Sequence, residues 1–314
     1  MPMPQSYSFT RYLSAKRSVD ERAFNQHVRQ RLLSWLETVP RPKPVRILEL
    51  GAGIGSMVER LLSTAVLTAA AYTAIDANPD TIVKAQSHVP RWAAESGFRV
   101  TETATGTRIQ RDQQDVEIRF EAINLFDFIA RERGQQPWDL LVAHALIDLL
   151  DVPTTLPLLL SVLSPSGLFY FPITFDGASI LEPAIDPPYD EHIEALYHHT
   201  MDERIVRGKP SGDSRTGRHL FAHVRAMGAN VLAAGSSDWV VFAGPEGYPE
   251  DEAYFLHYII DTMHTALATH PQLDPERFAR WIRQRHAQIE DGCLVYIAHQ
   301  LDILGQVPPP ADIS

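Results

Sequence analysis

Residues 45–55 read Val45-Arg46-Ile47-Leu48-Glu49-Leu50-Gly51-Ala52-Gly53-Ile54-Gly55. A short apolar run ends on an acid and passes through a glycine-rich bend into a stretch of helical spacing, 56–66. Few folds admit that order of events. A near-continuous apolar strand must be covered on both faces, which is the condition of a parallel sheet held between helix layers. Glycines let the backbone turn with positive φ and let a ligand touch it. The start of the next helix presents free N–H groups and the positive end of a dipole. Such a bend suits a carboxylate or a phosphate.

The alternation continues downstream. Apolar runs at 45–50, 70–76, 116–123, 138–144 and 167–175 read as strands, and helical spacing at 56–66, 79–95, 126–133 and 155–163 separates them. This repetition predicts an α/β fold with a largely parallel sheet. Residues 98–106 and 107–111 suggest an added hairpin. Beyond the fifth strand the pattern loosens. Helices are expected at 190–204, 216–227, 253–269 and 275–289, strand pieces at 230–234 and 239–243, and a last strand at 293–303. Ahead of the first strand, 18–38 reads as one amphipathic helix, opened by Ser18 and Glu21 as a capping box and stopped by Pro40, Pro42 and Pro44. The division that follows is an N-terminal helical segment over 1–44 and a ligand-binding domain over 45–314, with cap elements at about 178–228 and 245–290.

Charge and cysteine content narrow the function. The single cysteine, Cys293, precludes an internal disulfide, so a reducing, cytoplasmic setting is expected. The first ten residues lack the charged start and apolar run of an export signal. The longest apolar stretch, 140–163, is interrupted by Asp148, Asp151, Pro153 and Pro157. No span of the roughly 18 residues that a bilayer requires is therefore expected. A formal net charge of −11 opposes general binding to a nucleic-acid backbone. Two stretches run against that charge: 1–31 holds six Lys or Arg against two acids, and 204–225 six against one. Each suits a solvated surface, and each suits a cap that draws in an anionic small-molecule substrate. Neither a nucleic-acid nor a membrane partner is expected; a homodimer is admissible, because helix pairs also mediate dimers.

A dinucleotide fingerprint requires G-x-G-x-x-G, and Ser56 stands where its third glycine belongs. The spacing here is E-x-G-x-G-x-G, over Glu49, Gly51, Gly53 and Gly55. On these residues the chain resembles the class I methyltransferases that use S-adenosylmethionine (SAM), with a likeness extending over about 40–175. Asp76 closes the second strand about 20 residues past the bend, where a carboxylate can accept both hydroxyls of a ribose. The resemblance implies a Rossmann-like, doubly wound, mostly parallel seven-stranded sheet. Its last antiparallel strands would come from 230–243 and 293–303, with the helical cap inserted before the final strand. It also implies the cofactor SAM, held by Glu49, Gly51, Ala52, Gly53 and Gly55 and by Asp76 and Ala77. Asn124, Leu125 and Phe126 would surround adenine, with His144 and Ala145 beside the methionine part. The stretches 12–17 and 197–220 are similar to poorly characterised bacterial members, a likeness that names no substrate.

Methyl transfer from a sulfonium is an in-line displacement with a good leaving group, so alignment is the main task. A hydroxyl or ammonium acceptor also needs a base. His144 and Asp176, each just past a strand's C-terminal end, are the candidate bases. The expected function is SAM-dependent transfer of a methyl group to oxygen or nitrogen of a small molecule. An NAD(P)-dependent oxidoreductase and a non-catalytic SAM-binding module are the alternatives.

Other motifs carry structural readings. Asp186-Pro187-Pro188-Tyr189 spells the D-P-P-Y string of amino-methyltransferases acting on DNA bases. There it belongs directly after the fourth strand, a place taken here by Ala143-His144-Ala145, and proline-rich entry into a helix explains it. Glu191, Glu194 and His198 share a helical face, as do His257, Asp261 and His264. Neither set has H-E-x-x-H spacing, so no metal is expected and both read as wet faces. Cys293 is expected in the core.

Overall fold

Ile47 and Leu48, neighbours on the first strand, are both fully buried, each in a different apolar cluster. Successive strand side chains point to opposite faces, so this strand is covered on both. The computed structural model describes residues 3–4, 6–38, 44–206 and 208–309; the helix-stopping Pro40 and Pro42, and Arg207, lie outside them.

The N-terminal part forms α1 (Phe9–Ala15), α2 (Arg17–Ala23) and α3 (Gln26–Thr38). The alternating part follows as β1 (Val45–Leu50), α4 (Ser56–Ser63), β2 (Ala69–Asp76), α5 (Pro79–Glu95), β3 (Arg99–Glu102), β4 (Thr107–Arg111), β5 (Gln114–Ala122), α6 (Leu125–Glu132), β6 (Trp138–Ala143), α7 (Val152–Leu160) and β7 (Leu163–Glu182). The remainder is α8 (Pro187–Asp202), β8 (Ile205–Val206), β9 (Lys209–Pro210), α9 (Thr216–Ala226), β10 (Asn230–Ser236), β11 (Trp239–Val241), α10 (Glu252–Leu267), α11 (Pro275–Glu290) and β12 (Val295–Gln306).

The main sheet runs β10-β12-β7-β6-β1-β2-β5-β4-β3, with β11 also paired to β12. The five strands β5, β2, β1, β6 and β7 are mutually parallel, and β12, β10 and β11 join antiparallel. The doubly wound α/β architecture is as expected. The strand count differs: the seven-strand path from β5 to β10 is extended by the β3–β4 hairpin and by β11 into a sheet of ten. Leu48, Leu50, Leu141, Phe169 and Phe171 bury one face against α6, α7 and α9. On the other face Ile47, Tyr72, Leu140 and Val142 share a cluster with the N-terminal helices, α4, α5, α8, α10 and α11. Leu220 and Val224 put α9 in the first layer. That helix, counted with the cap in the sequence, therefore covers the sheet itself.

The N-terminal segment departs most from expectation. The single helix over 18–38 is two helices, broken at Phe24, whose ψ of 127° is extended. Asn25 causes the break: its side-chain oxygen accepts from Val28 N–H at 3.1 Å, starting α3, and its own N–H donates to Asp302 on β12 at 3.0 Å. Such side-chain bonds to the backbone compete with a continuous helix. Ser18 is consequently inside α2, donating to Glu252, and forms no capping box.

Candidate functional site

The chain winds outward from β1 to β2 and β5, then returns to β6 and β7 on the other side of β1. Strand order thus reverses between β1 and β6, and in open α/β sheets ligands bind beyond the carboxyl ends of the strands at that point. A cavity of about 860 Å³ opens there. It is lined by Gly51, Ala52 and Gly53 after β1, Asp76 and Ala77 after β2, Asn124, Leu125 and Phe126 after β5, and His144 and Ala145 after β6.

The bend is tied to the second strand. Ala52 N–H donates to the Ile75 carbonyl and Gly53 N–H to Asp76 Oδ2, both at 2.9 Å. Asn78 N–H donates to Asp76 Oδ1 at 2.8 Å. An ionised carboxylate has about four acceptor sites, so Asp76 is clamped by two donors and retains capacity for two hydroxyls. Gly55 N–H donates to the Ala52 carbonyl at 2.9 Å. The amides of Ala52, Gly53 and Gly55 are therefore bonded within the protein. The first turn of α4, whose Ser56 and Met57 line the cavity, offers further free N–H donors to an anion. Asn124 Oδ1 accepts from Phe126 N–H at 2.9 Å as the cap of α6, leaving its amide N–H groups for a ligand.

Two residues expected at the cofactor do not line the cavity. Glu49 shares the face of Ile47 by strand periodicity, and its buried carboxylate accepts from Tyr72 Oη–H at 2.8 Å. Burial pushes its pKa up to about 8. Gly55 has φ +86°, and a Cβ there would meet Val89 Cγ2 at 2.5 Å. Glycine at this position brings α4 against α5.

The N-terminal helices close the cavity from above with Phe9, Leu13, Lys16 and Asp20. Asp20 is buried, with Oδ2 at 3.1 Å from Lys16 Nζ, 3.2 Å from His144 Nε2 and 3.9 Å from an Arg60 nitrogen. Trp239 Nε1–H donates to its other oxygen at 2.9 Å. Burial works to raise the Asp20 pKa, but Lys16, His144 and Arg60 outweigh it and hold the carboxyl far below the usual range. For His144 burial dominates over the pull of Asp20 and, with the charges of Lys16 and Arg60, pushes the pKa down to about 4. The ring is neutral at pH 7.

The remaining wall combines Leu149, Leu150, Asp151, Thr154, Thr155 and Leu158 with Arg204, Val206, Lys209, Pro210 and Ser211. Sequence reasoning chose no individual residue here, nor Lys16 and Asp20. The available signal was the two locally basic stretches, which supply Lys16, Arg204 and Lys209.

Several expectations are corrected. Asp176 is buried outside the cavity: Arg218 N–H and Nε–H donate to its Oδ1 at 2.7 and 2.9 Å, so its carboxylate fixes α9 to β7. Glu194 accepts from Ser179 N–H at 2.9 Å and His198 Nε2 lies 3.1 Å from Ser179 Oγ, which pins α8 to β7. His257 is fully buried, its Nδ1 at 2.8 Å from that of His286, while Asp261 and His264 are part-exposed, so only part of that face is wet. Cys293 is exposed and precedes β12. The Asp186–Tyr189 string opens α8, with Arg277 bridging Asp186 at 2.6 Å and lying over the Tyr189 ring. Among the described residues, no group of three or more His, Cys, Asp or Glu is placed to hold a metal ion. No described helix is long and apolar enough to cross a membrane.

No protein-family model matches the chain, and no curated protein matches it. Solved structures do. A SAM-dependent methyltransferase from Thiobacillus denitrificans in complex with S-adenosyl-L-homocysteine is 14% identical, with 97% of this chain and 99% of that chain covered and a TM-score of 0.44. The [4+2]-cyclase SpnF is 14% identical over 98% and 100%, with a TM-score of 0.44. The cyclopropane synthase MmaA2 from Mycobacterium tuberculosis is 10% identical over 96% and 100%, with a TM-score of 0.42. Likeness at this level leaves the architecture to be carried by the strand order and the function by the cavity's own residues.

Proposed function

We propose that the chain is a SAM-dependent methyltransferase acting at oxygen or nitrogen of a small, anionic acceptor. One observation carries this reading: the clamped Asp76 carboxylate stands beside the G-x-G-x-G bend on the wall of one cavity. The donor and acceptor set fits the cofactor. Asp76 would accept the ribose hydroxyls, Leu125 and the Asn124 amide would border adenine, and the first turn of α4 would attract the carboxylate of the amino-acid tail. The cavity's volume of about 860 Å³ lies in the range of ligand pockets, roughly 300–1,000 Å³.

SAM, when bound, supplies a methyl group on a positively charged sulfur. The protein's part is to align an acceptor with it and to receive the acceptor's proton. His144 is uncharged at neutral pH, lines the cavity and has Nε2 3.2 Å from Asp20 Oδ2. The Asp20 carboxylate beside Nε2 would favour the proton on that nitrogen, which leaves Nδ1 as the nitrogen to take the acceptor's proton. Asp20 acts through His144 as a positioning residue.

Calorimetry with SAM, S-adenosylhomocysteine, NAD and NADP tests the cofactor. We expect the two adenosyl compounds alone to bind, and Asp76→Asn to weaken them at least tenfold, about 1.4 kcal/mol. Tighter binding of a nicotinamide nucleotide, or unchanged affinity in the variant, would overturn the assignment. Release of S-adenosylhomocysteine from SAM across an acceptor library separates an enzyme from a binding module.

A further inference from the structure

We infer that the acceptor is an amphipathic oxyanion, its acid group held by Arg204 and its apolar body by the mouth of the cavity. The inference rests on the reading of the cavity as a SAM site with an acceptor beside it.

Arg204 follows α8 and lines the wall away from the glycine bend. Its Nε–H donates to the Ser211 carbonyl at 2.9 Å and its Nη2–H to the Asp148 carbonyl at 3.4 Å. Two backbone carbonyls orient the guanidinium plane without neutralising it. Among the described residues, no carboxylate forms an ion pair with Arg204, whereas Arg17, Arg22, Arg218 and Arg285 each have one. Asp148 supplies a carbonyl to Arg204, and burial raises the pKa of its own carboxyl against the pull of the Arg204 charge. Lys209 lines the same wall, against one further acid, Asp151, which accepts from Thr154 Oγ–H at 2.6 Å. An oriented guanidinium without an ion-pair partner in a cavity suits a carboxylate or phosphate through paired N–H donors.

The body of the acceptor follows from the rim. Phe9, Phe126, Leu149 and Val206 all line the cavity and are 41–48% exposed. Large apolar side chains left part-exposed along a cavity mark a surface that receives an apolar ligand. An acid group at Arg204 with a hydrocarbon or aromatic portion against this rim satisfies both features. A small hydrophilic acid leaves the rim uncovered, and a neutral lipid leaves the arginine unpaired.

Protein saturated with S-adenosylhomocysteine is titrated with octanoate, octyl phosphate, octanol and octylamine. We expect the two anions to bind, octylamine not to bind, and added salt to weaken the anions but not octanol. Arg204→Gln should weaken the anions at least tenfold and leave octanol unchanged. Should Arg204→Gln not fold, Lys209→Gln and the salt dependence decide, with a smaller loss expected for the anions only. Octylamine or octanol binding as tightly as octanoate, or anion binding indifferent to both charge removal and salt, overturns the inference. Failure of S-adenosylhomocysteine itself to bind overturns the cofactor reading instead.

Discussion

Two of the cavity's walls meet at His144, and the buried acids in or behind them are held in opposite ways. On the strand wall, Glu49 lies beneath the glycine bend with a single neutral donor, Tyr72, and burial pushes its pKa up to about 8. On the wall made by α1 and α2, Asp20 is as deeply buried but faces Lys16, His144 and Arg60, and its pKa is held down. The same desolvation acts on both carboxyls. Arg60 draws both pKa values down, and Lys16 and His144 add their pull at Asp20 alone. Glu49 is set by strand register and one neutral donor; Asp20 sits in an ionic cluster assembled by distant parts of the chain. Their contributions to stability therefore have opposite pH signs.

The largest effect expected from this contrast is in Asp20→Asn. The variant keeps an acceptor for Trp239 but leaves Lys16, itself buried, without its counter-charge. Breaking a buried ion pair on one side costs about 3–5 kcal/mol. Urea unfolding at pH 7 should show that loss, and Lys16→Met in the Asp20→Asn background should recover much of it. Because the folded-state pKa of Asp20 is depressed, its stabilisation is complete above pH ~4 and is lost as pH falls further. A loss in the single variant of under about 1 kcal/mol would remove the distinction between the walls.

Glu49→Gln is the counterpart, with a smaller effect and the reverse sign. A carboxyl whose folded-state pKa is raised favours folding below its unfolded value, near 4.3, and loses that contribution as pH rises through about 8. Native stability should therefore decline from pH ~5 to pH 8 through this group. The uncharged amide of the variant should leave stability nearly unchanged at pH ~4 and raise it by about 1–3 kcal/mol at pH ~8. Parallel pH profiles for the variant and the native protein would show that Glu49 is ionised and solvated in the fold.

The walls also differ in how far the sequence reveals them. Gly51, Gly53 and Asp76 are where strand and turn chemistry places them, because a bend after an apolar strand and an acid at the next strand's end have local causes. Glu49 was legible as a strand residue, yet its face follows the register that sets Ile47 opposite Tyr72. Lys16 and Asp20 carry no such local mark. A continuous helix over 18–38 would leave Asp20 in a solvated first turn. The break at Phe24 that buries it depends on Asn25 meeting Asp302, 277 residues away. Arg204 likewise owes its orientation to the carbonyls of Ser211 and Asp148. Periodicity reports burial against the sheet, and ionic clusters between distant segments lie beyond it. Cys293 misled for the same reason: an apolar neighbourhood in sequence, Leu294 to Ile297, begins one residue after the exposed thiol.

The finest test of the junction is the titration of His144 itself, followed by its ring resonances in NMR. Desolvation, Lys16 and Arg60 lower its pKa and Asp20 raises it, with a net result of about 4. Asp20→Asn should therefore move the midpoint lower still, although removing an acid from an exposed histidine would produce little change. Lys16→Met should move it upward by relieving a like charge. The stability linked to this ring is complete above pH ~6.5 and is lost as pH falls towards about 4, on the same acid side as Asp20 and opposite to Glu49. If His144 titrates near its ordinary value, about 6.5, in the native protein and ignores both substitutions, the ring is solvated and the helical wall does not reach it. The strand ends would then be left to do the chemistry without the N-terminal helices.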